Sequence, residues 1–208
     1  MKILICADHK IAREGLRQIL SQLPEITLIC EAGNGIEALD LLRKYDFTIL
    51  LLGISLPDKS GLDILQTVKA KWPLINVLML SMFSQEQYAI RSLKLVASGY
   101  LTKDTASEEL LLAVKKISVG GKYISNSLAE ELALNLKKDN FAQKHDSLSG
   151  REFEILIKIA NGKSLQEIGN ELFISVKTVS TYRSRILVKM EMNRNNELTR
   201  YCIENKLI

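Results

Sequence analysis

The first 121 residues alternate five short apolar runs with longer amphipathic segments, and this alternation limits the possible folds more than any other feature. Ile, Leu and Val dominate the runs, and most runs are apolar on both faces, as strands buried in a parallel sheet are. The intervening segments carry apolar residues at helical spacing. We therefore predict an α/β fold, a doubly wound five-stranded parallel sheet with right-handed crossovers. The predicted strands are Lys2–Cys6, Ile26–Glu31, Phe47–Leu52, Ile75–Ser81 and Gly99–Leu101.

The carboxyl ends of these strands are where a doubly wound sheet places its functional residues. In this chain the ends are Ala7-Asp8, Gly53, Ser81 and Lys103. We expect any site of the N-terminal half at that edge of the sheet.

The chain from residue 148 onward shows no strand pattern and is predicted to fold as an all-α domain of four helices. Ser149 with Glu152 has the spacing of a capping box, and Ser164 and Ser175 are the predicted N-caps of the next two helices. The fourth helix is predicted over Asn196–Asn205.

Residues 122–147 separate these two parts. They contain a further helical segment, Asn126–Lys137, followed by a polar stretch that we interpret as a linker containing His145. The predicted organisation is a first domain over 1–121, a helix and linker over 122–147, and a second domain over 148–208.

The composition excludes several protein classes. Of the 208 residues, 47% are hydrophobic and 25% are charged, as in a soluble globular protein. The longest near-unbroken apolar run, Phe47–Leu56, is far shorter than the ~20 residues of a membrane span, and the N-terminus lacks the apolar core of a signal peptide. We therefore predict a cytoplasmic protein with no membrane partner. The widely spaced Cys6, Cys30 and Cys202 indicate neither a disulfide framework nor a zinc site.

Positive charge is concentrated in the C-terminal third. From Phe141 onward there are eleven Lys and Arg residues against eight Asp and Glu residues, a net charge of +3, and the whole chain carries +4. This asymmetry favours a nucleic-acid partner. His9 and His145 have no nearby nucleophile, and the sequence has no glycine-rich phosphate loop. We predict no enzyme activity, no catalytic residue and no metal site.

Two predicted helices separated by Phe173-Ile174-Ser175 form a helix-turn-helix pattern, and the second helix has the residues expected of a DNA reader. If Val179 points inward, a turn of about 100° per residue puts small hydroxyl and basic side chains outward. Hydroxyl groups can approach a groove closely, and basic groups neutralise phosphates. An ordinary solvated surface helix is the alternative interpretation. The predicted DNA-binding residues are Lys177, Thr178, Ser180, Thr181, Ser184, Arg185 and Lys189.

The order of motifs from Leu148 to Ile208 resembles the LuxR-type helix-turn-helix. The matching pieces are Leu148-Ser149-Gly150-Arg151-Glu152, Ile159-Ala160-Asn161-Gly162-Lys163-Ser164, Glu167-Ile168, Leu172, Ile174-Ser175, Lys177-Thr178-Val179 and Lys189-Met190. The resemblance implies that Val176–Met190 is a recognition helix that enters the major groove of double-stranded DNA. This chain has Ser180 where Lys is frequent and Tyr182 where His is frequent, so base preference does not carry over. We predict Tyr182 to be a core aromatic with its hydroxyl at the rim.

The resemblance also implies that the last helix pairs two copies of the domain, so that a homodimer reads a two-fold symmetric site. The residues expected in that contact are Asn196, Thr199, Arg200 and Ile203.

The N-terminal half resembles the receiver domain of two-component response regulators, a flavodoxin-like fold, and the whole chain resembles the NarL/FixJ family. The matching pieces are Asp8-His9, Arg13-Glu14-Gly15-Leu16, Glu31-Ala32-Gly33-Asn34-Gly35, Glu37-Ala38-Leu39, Ile54-Ser55-Leu56-Pro57, Ser60-Gly61-Leu62-Asp63, Leu80-Ser81 and Ser98-Gly99-Tyr100-Leu101-Thr102-Lys103.

The phosphorylation pocket of this receiver departs from the family pattern. In such receivers an acidic pair after the first strand and an Asp that ends the third strand hold Mg²⁺, and that last Asp accepts the phosphoryl group. Here Ala7 replaces the first acid, Asp8 keeps the second, and Gly53 replaces the acceptor. The positions of the switch hydroxyl, the switch aromatic and the phosphate-sensing lysine are occupied by Ser81, Tyr100 and Lys103.

These replacements have chemical consequences. A single carboxylate should bind Mg²⁺ weakly or not at all, so we expect no cofactor, and a glycine offers no nucleophile for phosphoryl transfer. Asp46 and Asp58 are poorly placed to substitute for the acceptor. We expect either that Asp8 and Lys103 pair across the pocket or that both reach solvent.

The leading hypothesis is a DNA-binding transcription regulator with a degenerate receiver that works without phosphorylation. A second hypothesis is an ordinary phosphorelay regulator silenced by a substitution at Gly53, although Ala7 then needs a separate explanation. A third is a module that sequesters a paralogous regulator by heterodimerisation. Partners besides DNA are accordingly a sensor kinase or a paralogous regulator.

Overall fold

The computed structural model describes residues 1–81, 86–102, 107–125, 129 and 143–208. The chain forms two compact units, Met1–Leu136 and Lys137–Ile208. The first contains a five-stranded parallel sheet in the order β2-β1-β3-β4-β5, which is the flavodoxin-like order and confirms the predicted fold class. The strands are β1 (Lys2–Cys6), β2 (Leu28–Ala32), β3 (Ile49–Gly53), β4 (Asn76–Ser81) and β5 (Gly99–Thr102).

Helices alternate with these strands as the sequence predicted. In the described part of this unit they are α1 (Lys10–Leu20), α2 (Gly35–Lys44), α3 (Gly61–Lys71), α4 (Glu86–Lys94) and α5 (Ser107–Ser118). The middle of the sheet is apolar on both faces, since every residue of β3 is buried. The edge strand β2 is half-buried apart from its last residue, so its pattern differs from that of a central strand.

Polar side chains from two segments cap the N-terminus of α2. Asn34 Oδ1 accepts a hydrogen bond from the Glu37 N–H at 2.8 Å. The Asp58 carboxylate accepts two more, from the N–H of Gly35 at 2.9 Å and from the N–H of Ile36 at 2.8 Å. A helix N-terminus has unpaired N–H groups and a partial positive charge, so a carboxylate is stabilising there. The Asp58 carboxylate therefore links the loop after β3 to the N-terminus of α2.

The loop between β3 and α3 folds back tightly on the end of β3. The Gly61 N–H donates to the Ile54 carbonyl at 2.6 Å, and the backbones of Ser55 and Ser60 form an isolated antiparallel β-bridge. A Cβ added at Gly61 would lie 2.0 Å from the Gly53 carbonyl oxygen, which no side chain can tolerate. Only glycine fits at position 61 in this loop conformation.

The described residues of the second unit form helices joined by short turns. A short 3₁₀ helix, Lys144–Ser147, precedes α6 (Gly150–Ala160), α7 (Leu165–Leu172), α8 (Val176–Met190) and α9 (Asn195–Glu204). The predicted caps are confirmed: Ser149, Ser164 and Ser175 each accept a hydrogen bond from the backbone N–H three residues later. Glu152 and Glu167 complete capping boxes.

His145 is a core residue of the second unit, and its interpretation as a linker residue was wrong. It is only 7% exposed, its Nδ1 lies 3.0 Å from the Tyr201 hydroxyl, and its ring packs against Phe153. The polar sequence around it concealed this, because a single turn of 3₁₀ helix has no apolar periodicity.

The helix predicted over Asn126–Lys137 lies outside the described residues except for Ala129. No helix within the described ranges has the length and apolar character needed to cross a bilayer.

Replacing Gly61 with Ala should destabilise the first unit by about 3 kcal/mol or more, because backbone must move to make room for the methyl group. Urea unfolding followed through the fluorescence of Trp72, the chain's one tryptophan, measures the effect. Gly15→Ala is the matched control: nothing lies within 4 Å of its added Cβ. In helix α1 that change should stabilise the unit by ~0.5–1 kcal/mol. Equal effects of the two substitutions would contradict the tight loop.

Candidate DNA-binding helix and receiver pocket

Helix α8 has an exposed stripe that matches the predicted DNA-binding face. Val179, Ile186 and Met190 are buried, and Tyr182 is half-buried, in keeping with its predicted place at the rim. Away from this buried side, Ser180 is half-exposed, and the other predicted DNA-binding residues are all exposed. These are Lys177, Thr178, Thr181, Ser184, Arg185 and Lys189. Val188, in the same stripe, is 78% exposed and offers an apolar group to the outside.

The hydroxyl groups on this stripe are held by the helix itself. Thr181 Oγ1 donates to the Lys177 carbonyl at 3.0 Å, and Ser184 Oγ donates to the Ser180 carbonyl at 3.1 Å. Each hydroxyl keeps its acceptor lone pairs, and the Thr181 methyl group stays available for apolar contact. The stripe therefore presents acceptors and a methyl group close to the helix surface.

The basic residues of α8 divide into two groups. Lys177 and Arg185 are exposed, and the Arg185 guanidinium lies 5.9 Å from the centroid of the Tyr182 ring. Arg183 Nε instead donates to Asn195 Oδ1 at 2.6 Å, and Lys189 Nζ donates to Glu152 Oε2 at 2.6 Å. The first pair is free to meet phosphates, whereas the second pair fastens α8 to neighbouring helices.

The Lys189 contact joins α8 to the capping box of α6. Burial disfavours the charged form of Glu152, but hydrogen bonds from Lys189 Nζ and from the Ser149 N–H outweigh it, so the pKa of Glu152 is lowered. This carboxylate therefore serves two elements at once. Sequence reasoning placed Lys189 among the DNA contacts and had no means to find Glu152 as its partner.

Four residues of α9 expected to pair two copies lie along one helix face, three and four positions apart. Ile203 is 60% exposed, and Asn196 and Arg200 are exposed. Thr199 is half-buried and donates to the Asn195 carbonyl at 3.2 Å. An exposed isoleucine between polar neighbours is compatible with a helix that pairs with a second copy.

The carboxyl end of the sheet brings together most of the residues predicted for the receiver pocket. Ala7 and Gly53 are buried, and an ideal Cβ on Gly53 would lie 3.3 Å from the Cys6 carbonyl oxygen and 3.7 Å from Leu56 Cδ2. Tyr100 and Ser81 are buried beside each other on β5 and β4 and share a side-chain hydrogen bond. Burial raises the pKa of Tyr100 to about 12, and this hydrogen bond partly offsets the shift.

A guanidinium group organises the loop after β1. Arg13 Nη1 donates to the carbonyl oxygens of Ala7 at 2.7 Å and of Asp8 at 3.1 Å. Arg13 Nε is buried without a hydrogen bond, 3.5 Å from Glu31 Oε2. The Asp8 carboxylate lies 2.8 Å from Nδ1 of His9, whose side chain is exposed. The positive charge next to these two carbonyl oxygens is therefore supplied by a side chain of the protein itself, the Arg13 guanidinium.

Sequence reasoning missed the role of Arg13 at the pocket and the role of Asp58 as a cap of α2. Arg13 was noticed only as part of a motif, and helical spacing alone does not show that its side chain turns back to the loop. Lys103 lies outside the described residues, so its predicted ion pair with Asp8 stays a prediction.

Replacing Lys189 with Met should reduce the stability of the second unit by about 1–2 kcal/mol at pH 7, because it removes a hydrogen bond to a buried carboxylate. A lowered carboxyl pKa gives stability above the ordinary pKa, which is lost as pH falls through the folded value. The loss should therefore shrink at pH 4, and Lys189→Arg should restore most of it. Calorimetry of the full chain at both pH values measures this. An equal loss at pH 4 would assign the effect to packing of the lysine stem instead.

Two family models match the chain. The response regulator receiver domain matches residues 3–115, and the luxR family of bacterial regulatory proteins matches residues 146–202. The oxygen regulatory protein NreC of Staphylococcus aureus is 34% identical over 215 residues, which cover 100% of this chain and 99% of NreC.

Solved structures with the same two-part architecture agree. RcsB from Salmonella enterica serovar Typhimurium, bound to promoter P1flhDC in the presence of the phosphomimetic BeF3-, superposes with a TM-score of 0.63 at 25% identity, covering 97% of both chains. A structure of two RcsB dimers bound to two parallel DNAs gives a TM-score of 0.63 at 25% identity, covering 97% of this chain and 96% of that one. The chain therefore belongs to the response regulators of the NarL/FixJ family, with a receiver domain followed by a LuxR-type helix-turn-helix DNA-binding domain.

Proposed function

We propose that this response regulator controls transcription as a cytoplasmic homodimer, binding a two-fold symmetric DNA site without phosphorylation of its own receiver. The observation that carries this proposal is Gly53 at the end of β3, where a receiver of this family has its phosphoacceptor. A residue without a side chain offers no nucleophile, and the nearby Asp58 carboxylate is held by the N–H groups of α2. The first domain is the receiver over 1–121, and 148–208 is the DNA-binding domain.

Mg²⁺, which the receiver family implies, does not fit the donor set at this pocket. Mg²⁺ needs hard oxygen ligands in an octahedron, and Asp8 is the one carboxylate left of the expected three positions 7, 8 and 53. The carbonyl oxygens of Ala7 and Asp8 already accept from Arg13. No group of three or more acidic, His or Cys side chains among the described residues is suited to a metal. We therefore propose that this pocket binds Mg²⁺ weakly or not at all.

DNA contact by α8 is supported by its exposed stripe. Lys177 and Arg185 supply charge for phosphates, and Thr181, Ser184 and Val188 supply the close-range surface for base edges. RcsB, whose chain aligns with this one over 97% of its length, has been solved bound to DNA and as dimers on DNA. The same use of α8 and α9 is what we propose here. A paralogous regulator is the protein partner that suits a receiver without a phosphoacceptor, whereas a sensor kinase belongs to the alternative of an ordinary regulator silenced at Gly53.

If the protein works without phosphorylation, the chain without substitutions should gain no phosphoryl group when it is incubated with acetyl phosphate and Mg²⁺. Gly53→Asp alone should gain little, because the acid at position 7 is still missing and the site then has two carboxylates for Mg²⁺ instead of three. Ala7→Asp with Gly53→Asp should be modified at least about tenfold more than either single variant, since it restores three carboxylates for Mg²⁺. Intact-mass spectrometry at neutral pH measures the modification. Phosphorylation of the unmodified chain would refute this part of the proposal.

The DNA-binding proposal predicts different salt dependences for the basic residues of α8. Lys177→Ala and Arg185→Ala should each weaken binding and lower the slope of log Kd against log salt by about two, because in the proposed homodimer each substitution removes two cations, each of which neutralises one phosphate. Lys189→Met should leave the slope unchanged, because its ammonium is held by Glu152. Fluorescence anisotropy with DNA selected by the full chain from a random library gives each slope. A reduced slope for Lys189→Met would restore Lys189 to the residues that bind phosphates.

A further inference from the structure

The described second unit begins at a segment that contacts both helices expected to matter for DNA binding. Residues 143–147, which we call the entry segment, contain the 3₁₀ helix Lys144–Ser147. The Gln143 N–H donates to Asp146 Oδ2 at 3.2 Å, and Ser147 Oγ donates to the Lys144 carbonyl at 2.7 Å. These two hydrogen bonds within five residues hold the entry segment in one compact turn.

One contact of the entry segment reaches the C-terminal end of α8. Lys144 Nζ donates to Glu191 Oε2 at 2.7 Å and lies 3.4 Å from the Met190 carbonyl oxygen. Met190 is the last residue of α8, and Glu191 follows it in the left-handed conformation that ends the helix. A lysine at a helix C-terminus also meets the negative end of the helix dipole. Lys144 thus holds the point where the recognition helix stops and the chain turns towards α9.

A second contact reaches the middle of α9. His145 Nδ1 lies 3.0 Å from the Tyr201 hydroxyl, and the two rings meet edge to face with centroids 5.9 Å apart. His145 is buried, and it also packs against Phe153 of α6. The entry segment is therefore anchored in the core and touches α8 and α9 with consecutive side chains.

We propose that the entry segment positions the recognition helix relative to α9, with Lys144 and Tyr201 as positioning residues. This inference rests on the proposed DNA-binding function and adds a part of the protein that touches no DNA itself. If α9 pairs two copies, the angle between α8 and α9 sets the distance between the two recognition helices in the dimer. A site with fixed half-site spacing requires that angle, whereas non-specific contact with phosphates does not.

The test compares specific with non-specific affinity in the full chain. The probes are a duplex selected by the unmodified chain from a random library and a scrambled duplex of the same length and base composition, both at one salt concentration. Lys144→Met and Glu191→Gln each remove the ion pair but change the net charge in opposite directions. Non-specific electrostatics would therefore weaken binding in the first variant and tighten it in the second.

We expect the ratio of specific to non-specific affinity to fall about three- to tenfold in both variants, as expected for a weak exposed pair present twice in a dimer. The charge-swapped double variant, Lys144→Glu with Glu191→Lys, should recover most of the ratio. Tyr201→Phe, which removes one hydroxyl and keeps the ring, should lower the ratio in the same direction. The melting temperature should change little for the two ion-pair variants.

Matched controls come from the receiver. Lys10 and Glu14 form an exposed ion pair on α1 with 3.7 Å between Nζ and Oε1. Lys10→Met and Glu14→Gln make the same two charge changes in the other unit and should leave the ratio unchanged.

The inference is overturned if Lys144→Met and Glu191→Gln move specific and non-specific affinity in proportion, as charge alone dictates. It is also overturned if the receiver controls lower the ratio equally. If the unmodified chain binds neither the selected nor the scrambled duplex, the proposed DNA-binding function fails first and the inference fails with it. The unmodified chain thus reports on the function, and the variants report on the positioning.

Discussion

The close approach of Gly61 to the carbonyl of Gly53 determines the shape of the receiver pocket. A Cβ at position 61 would lie 2.0 Å from that oxygen, so the loop from β3 can fold back only because the residue is glycine. The folded loop brings Leu56 next to Gly53 and carries Asp58 to the N-terminus of α2. Backbone hydrogen bonds, apolar contacts and the cap on α2 hold this loop in place. The receiver can therefore lose its acceptor carboxylate and keep its fold.

Polar and charged side chains that the structure describes around the pocket are likewise paired within the chain. Arg13 holds the carbonyl oxygens after β1 and faces Glu31, and Ser81 and Tyr100 bond to each other. A charge that already has a partner does not need an ion or a phosphoryl group for its stability.

In the DNA-binding unit the same pairing within the chain separates structural from functional charges. Arg183 holds the middle of α8 to α9, and Lys189 and Lys144 hold its C-terminal end to α6 and to the entry segment. Lys177 and Arg185 remain on the exposed face for a polyanionic partner. Because buried contacts fix the orientation of α8, the exposed hydroxyl and methyl groups can be presented to DNA at a defined angle.

The sequence by itself determined the sheet, the order of helices, the three serine caps and the exposed face of α8, because these depend on periodicity and on neighbours within four residues. It also determined that position 53 carries no nucleophile. Only the tertiary structure decided which polar and charged side chains have partners within the protein. Asp58 meets Gly35, Lys189 meets Glu152 and His145 meets Tyr201 across separations of at least 23 residues along the chain. No local pattern records such distances, since they arise only when packed elements bring distant side chains together.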